Sequence, residues 1–181
     1  MFPESLVLRD GELVLRGWQE DDAPALETVC GDPAVCHFTS VPWTFTSSSS
    51  RRWVQSLHDR RSAGTTLALA ITRAAEGVAL GTVSLSHFSA DGGEAELGYW
   101  LVPAARGQGL AVKAAKIMST WAFDELALVR MELMILPENF ASHRVAERLG
   151  AVREELRPNS HEADGRFWDM VVYSLSAPPR W

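Results

Sequence analysis

The 181-residue chain carries 17 Lys and Arg against 23 Asp and Glu, a formal net charge of −6, and 46% hydrophobic residues. It is long enough for one substantial core, and its acidic balance excludes a general nucleic-acid binder, so an anionic ligand must be held by a local patch. The two cysteines, Cys30 and Cys36, and the five histidines form neither a disulfide framework nor a zinc spacing, so no metal is expected.

The N-terminus, MFPESLVLRD, lacks a basic start followed by an apolar run. No run of about 18 apolar residues follows anywhere, so a cytoplasmic location without a membrane partner is expected. Residues 6–8 and 12–16 flank Asp10-Gly11, which predicts a hairpin. Glu20-Asp21-Asp22 ahead of Pro24 predicts a helix over about 21–30, stopped near Gly31. Asp32-Pro33 is a place where a short second helix can begin, and Pro42-Trp43-Thr44-Phe45 reads as an irregular loop exposing aromatics. The four serines 47–50 read as the N-cap region of a helix over 51–61, where Trp53, Val54 and Leu57 share a face. Strands are predicted over 65–72 and 79–88, the second with Val83, Leu85 and His87 on one face; Asp91-Gly92-Gly93 then turns the chain.

The stretch 94–111, EAELGYWLVPAARGQGLA, organises the rest. Residues 95–102 have strand character, Pro103 ends them, and Arg106-Gly107-Gln108-Gly109-Leu110-Ala111 leads into a helix over 109–126 with Leu110, Ala114, Ile117 and Trp121 on one face. Glycine lets the main chain approach a ligand closely, and a helix N-terminus presents unpaired N–H groups with partial positive charge, so a polyphosphate is the natural guest. A strand over 129–136, a helix from Pro137-Glu138-Asn139 to Leu149 stopped by Gly150, and strands over 151–157 and 166–175 around a polar loop, 158–165, complete the chain. No internal repeat and no domain boundary emerges, so residues 1–181 are read as one domain.

Arg106, Gly109 and Ala111 match the pattern Gln-or-Arg, any two, Gly, any one, Gly-or-Ala. That pattern resembles the acyl-CoA signature of the GNAT N-acetyltransferases. The preceding Glu96-Leu97-Gly98-Tyr99-Trp100-Leu101-Val102 resembles the RimJ/RimL-type branch. A second resemblance lies at Asn139-Phe140-Ala141-Ser142, continuing through Val145 and Arg148 to Gly150-Ala151, where every position of the family form is matched. The resemblance implies an α+β, α/β/α layered GNAT fold, with a mixed, mostly antiparallel sheet of six to seven strands flanked by about four helices. It also implies acetyl-CoA as co-substrate, with no metal.

The implied reaction moves an acetyl group to a primary amine by direct attack in a ternary complex. The acceptor is a protein N-terminal α-amine or a small amine such as an antibiotic. Members of the branch are often dimers, so a homodimer is an expectation. A domain that binds acyl-CoA without turnover, as a sensor or assembly subunit, is the alternative.

Such a reaction needs a base for the ammonium, stabilisation of the carbonyl oxygen and a proton for the thiolate. The resemblance points to Glu96 as base, with Glu94 a rival; the alternative for Glu96 is a strand-surface carboxylate or an ion pair with an arginine. It points to Ser142 as acid near the sulfur, against a first-turn hydroxyl serving the backbone, and to Asn139 as helix cap, pantetheine contact or both. The strand edge at Leu101-Val102 is expected to pair with the pantetheine arm, and the N–H groups of Gly107, Gln108, Gly109, Leu110 and Ala111 to hold the pyrophosphate, Arg106 adding charge. His87, Trp43, Trp168 and Asp169 are candidates for the acceptor side; Asp169 has a structural hydrogen bond as its alternative, and Tyr173 reads as core.

Overall fold

The computed structural model describes residues 2–3, 5–29, 32–36, 39, 46–163 and 165–177. Its strands are β1 (Val7–Asp10), β2 (Leu13–Gly17), β3 (Leu67–Arg73), β4 (Ala79–Ser86), β5 (Glu94–Leu101), β6 (Arg130–Ile135), β7 (Val152–Ala163) and β8 (Arg166–Ser176). They form one sheet in the order β1-β2-β3-β4-β5-β6-β8-β7. Every neighbouring pair is antiparallel except β5 with β6. The mixed, mostly antiparallel sheet is as expected, but it has eight strands where six to seven were expected. The short, largely exposed β1 pairs with β2 along its whole length and so counts as a full member.

The helices are α1 (Ala23–Val29), α2 (Pro33–Cys36), α3 (Ser47–Ser62), α4 (Leu110–Glu125) and α5 (Phe140–Leu149). Three local details correct the sequence reading. The serines 47–50 are the first turn of α3 itself; Thr46 is the cap, its side chain accepting from the Ser49 N–H in a capping box. Residues 158–163 belong to β7, whose register shifts between Arg157 and His161. Pro158 is tolerated there because β7 is an edge strand and the shift frees its neighbours from the ladder. The buried face of α4 is Leu110, Ala114, Ala115, Met118 and Ala122, while Ile117 and Trp121 lie at its half-buried edge.

The helices divide between the sheet's two faces. Trp100 of β5 packs with Trp18 and, through it, with Trp53 of α3, ring centroids 5.8 and 5.3 Å apart. The adjacent Tyr99 instead reaches α5, its hydroxyl donating to the Ser142 carbonyl at 3.4 Å. Since side chains alternate across a strand, even-numbered residues of β5 face α1 and α3, and odd-numbered ones face α4 and α5. Sheet positions under both layers are fully buried, among them Leu15, Leu69, Ile71 and Met131.

Candidate active site

Strands β5 and β6 pair only through Glu94, Ala95 and Glu96 with Arg130, Met131 and Glu132. Beyond that point β5 runs to Leu101 and β6 to Ile135 without pairing to each other, so the sheet opens a gap. The Val102 N–H donates to Leu80 O at 2.9 Å, on the β4 side. Alternation therefore turns the backbone groups of Leu101 and Tyr99 toward the gap. Of the two residues expected to pair with a pantetheine arm, Leu101 faces that way and Val102 has its N–H engaged elsewhere. The Leu101 carbonyl accepts from Arg106 Nε and Nη2, each at 3.1 Å.

At the end of β5 a 3-10 turn, Pro103–Ala105, leads through Gly107 and Gly109, with φ of 74° and 75°, into α4. Left-handed backbone at both positions suits glycine, and each is open, with no atom within 4 Å of a built Cβ. Among the described residues, no backbone acceptor outside the helix takes an N–H of 107–112, and the first helical N–H groups have none within it. Those donors point where the helix dipole favours negative charge, so the loop suits a phosphate group. The Gln108 side chain is used inward, donating to Ala104 O at 2.9 Å and accepting from Arg73. Arg106 is anchored as well, its Nη2 2.8 Å from Asp32 Oδ2. It thus braces the loop against the strand end and the segment near α2.

A cavity of about 340 Å³ lies beside the loop. Leu101, Arg106, Gly107, Gly109, Leu110, Ala111, Asn139 and Ser142 all line it, together with Tyr99. Burial pushes the Tyr99 phenol up to about 12, so it is a neutral donor near neutral pH. Asn139 caps α5, its Oδ1 accepting from the Ser142 N–H at 3.1 Å. That cap presents Ser142 on the first turn, at the cavity wall. His143 is held between Pro137 O, 3.2 Å from Nε2, and the buried Tyr173 hydroxyl, 3.1 Å from Nδ1. The carbonyl requires a donor at Nε2, so Nδ1 of the neutral ring accepts from Tyr173.

Glu96 lies across the sheet from this cavity, on the even face of β5, where the gap begins. It stands between Ser86 of β4 and Glu132 of β6. Burial raises its carboxyl above the usual 4.5, against the opposing charges of His87 and His161, while Glu132 adds to the rise. Its Oε2 is 3.2 Å from His87 Nδ1. His87 does not continue the Val83 and Leu85 face; β4 ends at Ser86 and His87 turns out of the strand with φ of 50°. For Glu132 the effect of burial is outweighed by hydrogen bonds from Arg157 at 3.1 Å and Arg130 at 2.7 Å, which hold it as an anion. Asp169 accepts from the Asn159 N–H at 2.9 Å, fixing the β7 bulge where Asn159 has φ of 48°. Trp168 pairs with His161 across β7 and β8. Trp43 lies outside the described residues.

Sequence reasoning missed Arg144 and Arg148, which line the cavity from successive turns of α5. Their i,i+4 spacing inside the second motif was a legible sign of a basic stripe beside the glycine loop. It also missed His161, whose place near Glu96 depends on how the β7–β8 hairpin folds over the sheet.

A parallel strand pair that parts beside an N-terminal helix loop, with a raised carboxyl across the opening, is the arrangement of an acyl-CoA-dependent N-acyltransferase. The model of the acetyltransferase (GNAT) domain matches residues 12–152, and the chain belongs to that family. The "uncharacterized N-acetyltransferase p20" of Bacillus licheniformis is 28% identical over 175 residues, 97% of this chain and 94% of that protein. Among solved structures, the Salmonella typhimurium acetyl transferase that modifies the N-terminal serine of 50S ribosomal protein L7/L12 superposes with a TM-score of 0.83. It is 20% identical, covering 96% of this chain and all of that one. RimJ of Mycobacterium smegmatis, in complex with CoA-disulfide, gives 0.82 at 23% identity over 98% of this chain and 90% of its own. The fold is therefore GNAT.

Proposed function

We propose that this protein transfers an acetyl group from acetyl-CoA to a primary amine by direct attack in a ternary complex. The observation that carries the reading is the set of N–H groups at 107–112 unengaged among the described residues, beside a sheet gap with Glu96 on its far side. The loop would hold the pyrophosphate, the β5 edge at Tyr99 and the Leu101 N–H would pair with the amide-bearing arm, and Arg144 and Arg148 would add charge at the rim. The amine approaches from the face of α1 and α3. Glu96 takes the ammonium proton, the nitrogen lone pair forms the C–N bond to the thioester carbonyl carbon, and the C–S bond breaks as the tetrahedral adduct collapses. Ser142 is our candidate to give a proton to the thiolate, its hydroxyl being restored by the second proton that the new amide nitrogen loses as the adduct collapses.

A protein N-terminal α-amine is the favoured acceptor, a reading supported by the fold shared with the enzyme that acts on L7/L12. Glu94, Glu132 and Glu154 on that face are paired with Arg130, which leaves the Glu96 carboxylate to meet a cationic acceptor, whether a peptide or a small amine. The test is incubation with acetyl-CoA and a panel of N-terminal peptides and small amines while free thiol is followed. Thiol release with a peptide supports the reading, release with small amines alone corrects the acceptor, and coenzyme uptake without any release indicates a sensor.

A further inference from the structure

We propose that His87 carries to solvent the proton that Glu96 removes from the acceptor, a relay built on the 3.2 Å approach of His87 Nδ1 to Glu96 Oε2. The inference deepens the acyl-transfer reading and rests on it. A base that works once per turnover must also be unloaded, and the two side chains differ in the way that unloading needs. The Glu96 side chain is 34% exposed, at the mouth of the gap, whereas that of His87 is 78% exposed. One 3.2 Å contact therefore spans the distance from a shielded carboxyl to open water.

The other groups facing Glu96 do not offer that exit. Glu132, its neighbour on β6, is held as an anion by Arg130 and Arg157 and has no free path for a proton. On β4, the Ser86 hydroxyl lies 3.2 Å from the same Nδ1 and helps to orient the ring. From β7, His161 influences the Glu96 carboxyl but makes no hydrogen bond or ion pair to it among the described residues. The chain at His87 leaves β4 in the left-handed region, with φ of 50°, a conformation uncommon for residues other than glycine, and there the ring lies beside Glu96 rather than in line with the strand.

The step balances as follows. The acceptor ammonium gives a proton to the Glu96 carboxylate, becoming the neutral nucleophile. The Glu96 carboxyl passes that proton to Nδ1 of a neutral imidazole already protonated at Nε2, and the imidazolium releases the Nε2 proton to water or buffer. Exchange with water restores the Nε2–H form.

The experiment compares the parent with His87→Asn, since asparagine accepts left-handed backbone and cannot carry the proton. With acetyl-CoA and an amine that the parent acetylates, in a dilute sulfonate buffer, kcat is expected to fall about tenfold or more with both KM values within about twofold. Added imidazole is expected to recover most of the loss, which a merely structural defect would not allow. An unchanged kcat in dilute buffer, a loss that imidazole fails to recover, or the same imidazole-rescued defect in His161→Asn but not in His87→Asn would each overturn the relay. In those cases the parent's thiol release still supports acyl transfer; a parent that releases no thiol with any amine removes both.

Discussion

Glu96 draws its chemistry from position, because an ordinary strand carboxylate becomes a stronger base once half-shielded beside a second carboxylate. Glu96→Gln is expected to lower kcat/KM by about a hundredfold or more. The parent's acid limb should sit above the usual carboxylate range, since only ionised Glu96 accepts a proton and its pKa is raised. A pH–rate profile for both proteins checks this. The same shift has a stability sign: charging Glu96 costs the folded state as pH rises through the raised pKa. The glutamine variant should therefore gain Tm relative to the parent at pH 8 but not near pH 4. Ser119 is a second residue-scale case, its hydroxyl buried on α4 without a partner among the described residues. Ser119→Ala should raise stability by about 1 kcal/mol in a denaturant melt. Asn139, Ser142 and the glycines were legible in the sequence because capping and left-handed turns are local. The surroundings of Glu96 were not, because Glu132 and His161 act on it from strands far along the chain.

At the scale of elements, the site depends on how closely β4 and β5 approach. A Cβ at Gly81 would meet Trp100 O at 2.1 Å and the Leu101 Cα at 2.9 Å. Gly81→Ala should therefore lower stability by about 1–3 kcal/mol or more. It should also weaken coenzyme binding, measured by calorimetry, because the displaced backbone includes the Leu101 edge proposed to hold the coenzyme arm. The order of strands and helices was readable from periodicity and turn residues, and Gly11 and Gly150 mark ends where the sequence placed them, with φ of 57° and 80°. Two segments misled for opposite reasons. The serines 47–50 read as a cap region ahead of the helix, yet the capping box at Thr46 draws them into its first turn. Residues 158–163 look like a polar loop, yet pairing with β8 makes them strand. In both, a contact outside the segment overrode its composition.

At the scale of the molecule, one arginine ties both strands of the parallel pair to β7. Arg130 of β6 lies 2.8 Å from Glu154 of β7, 2.7 Å from Glu132 and 3.8 Å from Glu94 of β5. Hydrogen bonds from Arg130 and then Ser174 hold the Glu154 carboxyl down to about 2, from an ordinary 4.5. The stability it contributes is complete above about pH 4.5 and is lost as pH falls toward 2, the sign for a depressed carboxyl. Tm of the parent and Glu154→Gln should differ at pH 7 and converge near pH 2. The parting of β5 from β6 has a consequence for kinetics. In the reaction proposed above, it makes the sheet a partition with a doorway, reached by the thioester carrier from one room and by the amine from the other. Under that proposal neither visitor blocks the other's way in, so binding in random order is expected, as initial-rate and product-inhibition patterns would check. Residues on the α1 and α3 side can diversify toward new amines while the diphosphate grip stays as it is.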